Sequence, residues 1–297
     1  MNDLYDVIII GAGISGMTSA IYLKRYNLKI LLLEKEIPGG QITKASTIEN
    51  YPGIIKIDGT EFSSSLLNQL NNLGVKVNYE EVINIKDENN IKKVETKSNK
   101  YQTKKIIIAT GRKPKSLNIG EEKYIGKGIS YCATCDGMFY KNQNVIVIGG
   151  GNSALEESIY LSNICKHVTI INRSNKLKAD EYLKQQVENI KNIEIIYNDE
   201  IELIKSQEDK ITGIKTKNNK HLECSAIFIY IGLIPNIIDI KNLNQENGYI
   251  IVDKNEQTNI KGIYAVGDVI KKELYQLITA ASEGAIAANH IKKELTL

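Results

Sequence analysis

Two stretches of this chain carry the same device, and few folds can use it twice. Residues 6–35, DVIIIGAGISGMTSAIYLKRYNLKILLLEK, read as an apolar strand, a glycine turn, an amphipathic helix and a second apolar strand. Residues 144–173, NVIVIGGGNSALEESIYLSNICKHVTIINR, repeat that order. The first turn is G-x-G-x-x-G at Gly11, Gly13 and Gly16; the second places Gly149, Gly151 and Ala154 at the same steps. From Gly16 to Glu34 is 18 residues, and from Ala154 to Asn172 is also 18. A lone glycine turn is weak evidence, but here each has a strand before it and a helix after it. The spacing predicts two βαβ units that hold the phosphates of dinucleotides.

Glycine lets the backbone turn sharply and approach a pyrophosphate, whose charge the open N–H groups of the helix start then stabilise. At the end of the second strand a carboxylate accepts from ribose hydroxyls and repels a 2′-phosphate. Glu34 therefore suits an unphosphorylated adenosine ribose, as in FAD or NAD. The second unit offers Asn172, Arg173 and Ser174 instead, with Lys176 and Lys178 beyond, a neighbourhood that suits a phosphate. The alternative is that Arg173 is a solvated charge at a strand end.

At 297 residues the chain has room for two domains of ordinary size. With 38 basic and 35 acidic residues scattered along it, the net charge of +3 gives no basic stripe, so no nucleic-acid partner is expected. No apolar run reaches the length of a membrane span, and the acidic start MNDLYD shows neither a signal nor a transit peptide, so a cytoplasmic protein is expected. Its four cysteines stand at 132, 135, 165 and 224. A reducing compartment disfavours a disulfide framework, and Cys165, Cys224, His167, His221 and His290 are too isolated to complete a zinc site. No metal is expected, and redox chemistry is left for Cys132 and Cys135.

Between the repeats, PGGQITKASTIENYPG (38–53) has the texture of a loop that hugs a ligand, 61–74 read as a helix, and 75–108 as short strands with turn residues Asp87, Asn89 and Asn90. KKIIIATGRKP closes a sheet. KGIYAVGDV ends in Gly267 and Asp268, placed to contact a second phosphate or a ribitol. The expected architecture is α/β, with two Rossmann-like dinucleotide-binding domains, the second inserted into the first. Residues 1–113 and 244–297 would bind FAD; 114–243 would bind NAD(P)H and carry the C-x-x-C.

In that order GAGISG, GGQIT, ENYPG, ATGRKP, CATCDG, GGGNSALEE, IGLIPN and YAVGDV cover essentially the whole chain. It resembles the low-molecular-weight, bacterial-type thioredoxin reductases, for which CATCDG between two dinucleotide motifs is the most specific marker. The resemblance implies FAD, NADPH, a homodimer, and thioredoxin as the protein substrate. It implies FAD contacts from Gly11, Ala12, Gly13, Ile14, Ser15 and Gly16, from Glu34, and from Gly39, Gly40, Gln41, Thr43 and Asn50. Further contacts would come from Val82, Ala109, Thr110 and Gly111, and from Gly267, Asp268, Gln276, Leu277 and Ile278. For NADPH it implies Gly149, Gly151, Asn152, Ser153 and Ala154, with Asn172, Arg173, Ser174 and Lys178. The family's basic motif H-R-R-x-x-x-R stands here as those last four residues, with Arg173 kept, the last arginine a lysine and two positions changed, which weakens the preference for NADPH, and Tyr275 replaces an arginine before Gln276.

The resemblance further implies that Cys132 and Cys135 alternate between disulfide and dithiol, with Cys135 toward the flavin, Cys132 attacking thioredoxin and Asp136 as acid and base. The alternative role for Asp136 is a turn or helix cap beside Gly137. Since the pair lies in one domain and the flavin in the other, hinges are expected near 113–116 and 241–245. NADH or ferredoxin as the donor, or a flavin-dependent dithiol oxidase, are the alternatives.

Overall fold

A computed structural model describes residues 4–45, 47–88 and 91–296. It divides into two compact units, Met1–Lys113 with Ile234–Leu297, and Pro114–Leu233.

In the first unit a parallel sheet runs Val77–Tyr79, Ile30–Glu34, Leu4–Ile10, Lys100–Ile108, Ile263–Ala265. Successive strand residues point to opposite faces, so a strand covered on both sides must be apolar at every step. Val7 and Ile9 pack with Met17, Ala20, Leu23, Ala287 and Ile291, residues of helices Ile14–Arg25 and Leu277–Thr296. Ile8 and Ile10 pack on the other face with Ile85, Val94, Ile240 and Leu243. The two helices approach closely: Ser19 Oγ lies 3.1 Å from the Gly284 carbonyl, and a Cβ on Gly284 would fall 2.4 Å from the Ser15 oxygen. Strands Val82–Glu88 and Ile91–Thr96 continue the sheet antiparallel from the first half of Lys100–Ile108. Asp87, expected in a turn, lies within a strand; Asn89 and Asn90 lie outside the described residues.

The second unit repeats the plan. Its parallel sheet runs Ile193–Tyr197, His167–Asn172, Asn144–Ile148, Ala226–Ile229, Ile129–Ser130. Val145 and Val147 face the helix side with Ala154, Leu155 and Leu161, while Ile146 and Ile148 face Ile204, Ile211 and Ile214 of an antiparallel three-stranded sheet. In both units the chain doubles back beside the first strand, and the glycine turn sits at the carboxyl end of that strand, where α/β sheets bind ligands.

The return crossing falls at Leu233/Ile234, ten residues before the expected 243/244. The reason is burial: Ile240 and Leu243 belong to the core of the first unit, so 234–243 cannot be a free connection. The two crossings run together as a two-stranded ribbon of Arg112–Pro114 and Leu233–Pro235. Among the described residues no helix is long and apolar enough to cross a membrane.

Candidate active site

Both glycine turns show the same division of labour. A Cβ on Gly11 would lie 2.3 Å from the Ala109 carbonyl oxygen, and one on Gly149 would lie 2.2 Å from that of Tyr230, so each first glycine is needed for packing against the neighbouring strand end. Their φ angles, +106° and +137°, add a second reason. The middle glycines, Gly13 and Gly151, have nothing within 4 Å on the Cβ side. The helices that follow, Ile14–Arg25 and Asn152–Ser162, have no side-chain cap. Helix Gly59–Asn72, by contrast, is capped by Asp58, which accepts from Thr60 and Glu61 N–H. Uncapped N–H groups behind an open glycine form a cradle for an anion, and the residues present fit a dinucleotide in each unit.

Contacts within the first unit gather the expected flavin residues at one end of its sheet. Gly13 bridges Gly39, and Gly40 lies 3.6 Å from Gly13 Cα by its Cβ position. A Cβ on Gly267 would lie 2.4 Å from Ser15 Oγ. Gln41 Nε2 donates to the Arg112 carbonyl (3.2 Å), Thr43 Oγ1 to the Gly40 carbonyl (2.9 Å), and Asn50 Nδ2 to Gln276 Oε1 (3.1 Å). Thr110 Oγ1 donates to the Asn236 carbonyl (2.6 Å), and Gly111 has its Cβ side open. Leu277 packs against the cluster of Ile14 and Ile42, while Ile278 is exposed. Val82 follows the strand that pairs Tyr79 with Glu34. Glu34 accepts from Ala12 N–H at Oε2 (2.7 Å) and from Glu36 N–H at Oε1 (2.9 Å), which fixes the carboxylate and leaves each oxygen a lone pair.

Arg112 and Tyr275 form a feature that sequence reasoning did not assign. The Arg112 guanidinium stacks over the Tyr275 ring at 4.3 Å and pairs with Asp268 Oδ2 at 2.9 Å through Nη2. Asp268 therefore meets a cation from its own chain. Nearby, Glu283 Oε2 accepts from Gly267 N–H (2.8 Å) and pairs with Lys272.

In the second unit Asn172 is buried, and its amide donates to the Ser174 and Lys176 carbonyls at 2.9 and 3.0 Å. It shapes the loop. The Ser174 hydroxyl donates to Lys176 O. Arg173, Lys176 and Lys178 are exposed and make no ion pair with a described residue, which leaves three free cations at the strand end. Asn152 exchanges hydrogen bonds with Asp180, the residue before helix Glu181–Glu188. Ser153 is exposed at the helix start and Ala154 is buried beneath the turn.

Cys132 and Cys135 form a disulfide, with Cα atoms 5.3 Å apart, at the start of the one-turn helix Ala133–Asp136. Cys132 Sγ accepts from Cys135 N–H (3.2 Å) and lies 3.4 Å from Thr134 Oγ1. A thiolate at Cys132 would keep both partners, which stabilises the negative charge on that sulfur. Ser130 links the remaining groups: its hydroxyl accepts from Cys132 N–H (3.0 Å) and donates to Asp136 Oδ2 (2.7 Å). Asp136 makes no capping bond to the turn Gly137–Tyr140, so its carboxylate is spent on Ser130. Next to the pair, Met138 and Phe139 are 59% and 77% exposed, an apolar step beside the sulfurs. The other two thiols are buried, and burial pushes Cys165 up to about 11 and Cys224 up to about 12, so both are inert at neutral pH.

Sequence reasoning missed Ser130, Tyr230 and Glu157 around the pair. The Glu156-Glu157 doublet carried only a weak signal, since residues next to each other on a helix lie about 100° apart and nothing in their spacing says which of them meets the core.

The family model for pyridine nucleotide-disulphide oxidoreductases matches residues 5–285. A thioredoxin reductase of Ureaplasma parvum serovar 3 is 42% identical over 304 residues, covering 99% of this chain and 98% of that protein. One from Listeria monocytogenes is 39% identical over 298 residues, covering 98% and 93%. Among solved structures, Lactococcus lactis thioredoxin reductase superposes with a TM-score of 0.88 at 42% identity, covering 98% of this chain and 99% of that one.

Proposed function

Because the chain belongs to the pyridine nucleotide-disulphide oxidoreductases, and among them to the thioredoxin reductases, we propose that it passes electrons from NADPH through FAD and the Cys132–Cys135 disulfide to thioredoxin. The observation that carries this is the disulfide itself, in the same unit as the second glycine turn. FAD is assigned to the first unit by its open turn at Gly13 and by Glu34. NADPH is assigned to Pro114–Leu233 by the open turn at Gly151 and by the free charges of Arg173 and Lys178. The enzyme acts as a homodimer in the cytoplasm.

When bound, the nucleotide and the flavin together supply an electron pair in a form that a disulfide accepts. The chain does the rest. The N–H groups of each uncapped helix hold a pyrophosphate, and Glu34 orients the ribose of the first. Once the disulfide is reduced, Cys135 N–H and the Thr134 hydroxyl stabilise a thiolate at Cys132. This thiolate attacks one sulfur of the thioredoxin disulfide, the other sulfur leaves, and a mixed disulfide forms. Attack by Cys135 on Cys132 releases reduced thioredoxin and restores the internal bond. Asp136, oriented by Ser130, moves the proton between solvent and the departing sulfur. Exposed Met138 and Phe139 give the protein substrate an apolar footing beside Cys132.

The test is anaerobic rapid mixing of the purified enzyme with NADPH, NADH or reduced ferredoxin, followed by alkylation of Cys132 and Cys135. NADPH is expected to generate the dithiol fastest. Dithiol formation from reduced ferredoxin alone would replace the nucleotide as donor.

A further inference from the structure

The loop between the two cysteines is held from behind by side chains that the electron path does not use. Ala133 N–H donates to the Tyr230 hydroxyl at 2.7 Å, and the cysteine helix packs against helix Asn152–Ser162, which carries Glu157. That amide belongs to the first of the two residues between the cysteines, in a helix too short to satisfy it itself. Tyr230 and Glu157 both belong to the nucleotide turn. Glu157 lies in the second turn of helix Asn152–Ser162, and Tyr230 follows strand Ala226–Ile229, with its own carbonyl packed against Gly149.

Glu157 Oε2 is buried and has no hydrogen-bond partner. A carboxylate left so is costly, and a carboxylic acid is much less so. Burial, and then the charge of Glu156, push its carboxyl up to about 7. The groups that face it are Glu156 on its own helix and Tyr230 at the strand end, on which Asp136 of the cysteine helix also acts.

We propose that Glu157 is a positioning residue for the redox pair, its unpartnered oxygen packed behind the cysteine helix and taking up a proton when the Cys132–Cys135 bond is reduced. This rests on the reading of that pair as the enzyme's redox centre. Two electrons break the S–S bond, and one proton gives one thiol and one thiolate. The new negative charge then disfavours a second one on Glu157, so a further proton binds its carboxylate. In turnover the electrons come from the enzyme's nicotinamide donor; in the test they come from dithiothreitol.

The full-length, flavin-loaded enzyme and its Glu157→Gln variant are equilibrated anaerobically with reduced and oxidised dithiothreitol from about pH 6 to about pH 8.5, and the thiols trapped by alkylation. The two curves are expected to coincide at the acid end. At the alkaline end Glu157→Gln should be roughly five- to tenfold more readily reduced, as one like charge shifts a neighbouring ionisation by about a decade. Curves with the same pH dependence would overturn the proposal alone. A pair that dithiothreitol cannot reduce at any pH would overturn it together with the reading it rests on. Should Glu157→Gln not fold, the bend near neutrality must persist in Asp136→Asn, and its loss there overturns the proposal.

Discussion

At the residue scale, the two sulfurs are chemically unequal. Cys132 keeps two donors as a thiolate, whereas no described group donates to Cys135 Sγ. Cys135→Ser should therefore accumulate a stable mixed disulfide with thioredoxin, visible on a non-reducing gel, because the attacking thiol remains and the resolving one is gone. Cys132→Ser should not; equal trapping by the two variants would remove the division of roles, and trapping by Cys132→Ser alone would reverse it. Nucleotide preference rests on a second group of residues. Charge-assisted hydrogen bonds contribute roughly 1.5–3 kcal/mol each. Lysine lacks the planar fork of arginine, and Asn172 is turned inward. The expected NADPH-to-NADH ratio in kcat/KM is therefore only about tenfold to a hundredfold. Arg173→Ala should shrink it toward one with NADH turnover nearly unchanged; an unaltered ratio would leave Arg173 a solvated charge.

At the element scale, the glycine turn separates folding from binding. Gly13 has φ −76°, open to any residue, and free space beside it, so Gly13→Val should fold. Its new side chain would occupy the phosphate cradle, and the variant should purify without flavin colour. Gly16→Val is different, since a Cβ there would sit 1.9 Å from the Gly11 carbonyl oxygen, in backbone that cannot yield. That variant should lose solubility or melt far below the wild type. Flavin retained by Gly13→Val, measured by absorbance after denaturation, would move the cofactor elsewhere. The βαβ elements were legible because their apolar period and glycine spacing are local. Helix Gly59–Asn72 begins two residues earlier than the helix read at 61–74, since the Asp58 cap adds its own bonds to the start.

At the scale of the whole molecule, buried acids set the response to pH. Burial, followed by the charge of Glu283, pushes the Glu256 carboxyl up to about 8, and Glu283 is also raised, burial first. A raised folded pKa means the native state holds its proton longer than the unfolded chain. The stability is present below the ordinary carboxylate pKa and is lost as pH rises through the folded value. The melting temperature of the first unit should fall between about pH 5 and about pH 8; each ~1 kcal/mol of such linkage moves it about 2–4 °C in a unit of this size. Glu256→Gln should flatten the slope in a thermal scan across that range. An unchanged slope would mean Glu256 ionises without penalty.

By itself the sequence determined the two parallel-sheet units, the insertion of one within the other, the open glycines and the redox pair, because each is written in short-range periodicity or in residue spacing. It did not contain the place where the chain returns to the first unit, since Ile240 and Leu243 show their burial only once a sheet is there to receive them. Nor could it show that Arg112 stacks on Tyr275, 163 residues away by subtraction, or that Asn172 serves its own loop. Glu157 is the clearest case. On the helix it is one of two adjacent acids, and only the packing of the folded chain around them decides which of the two loses its water. Desolvation is a property of everything that surrounds a group, and what surrounds a group is settled by tertiary structure.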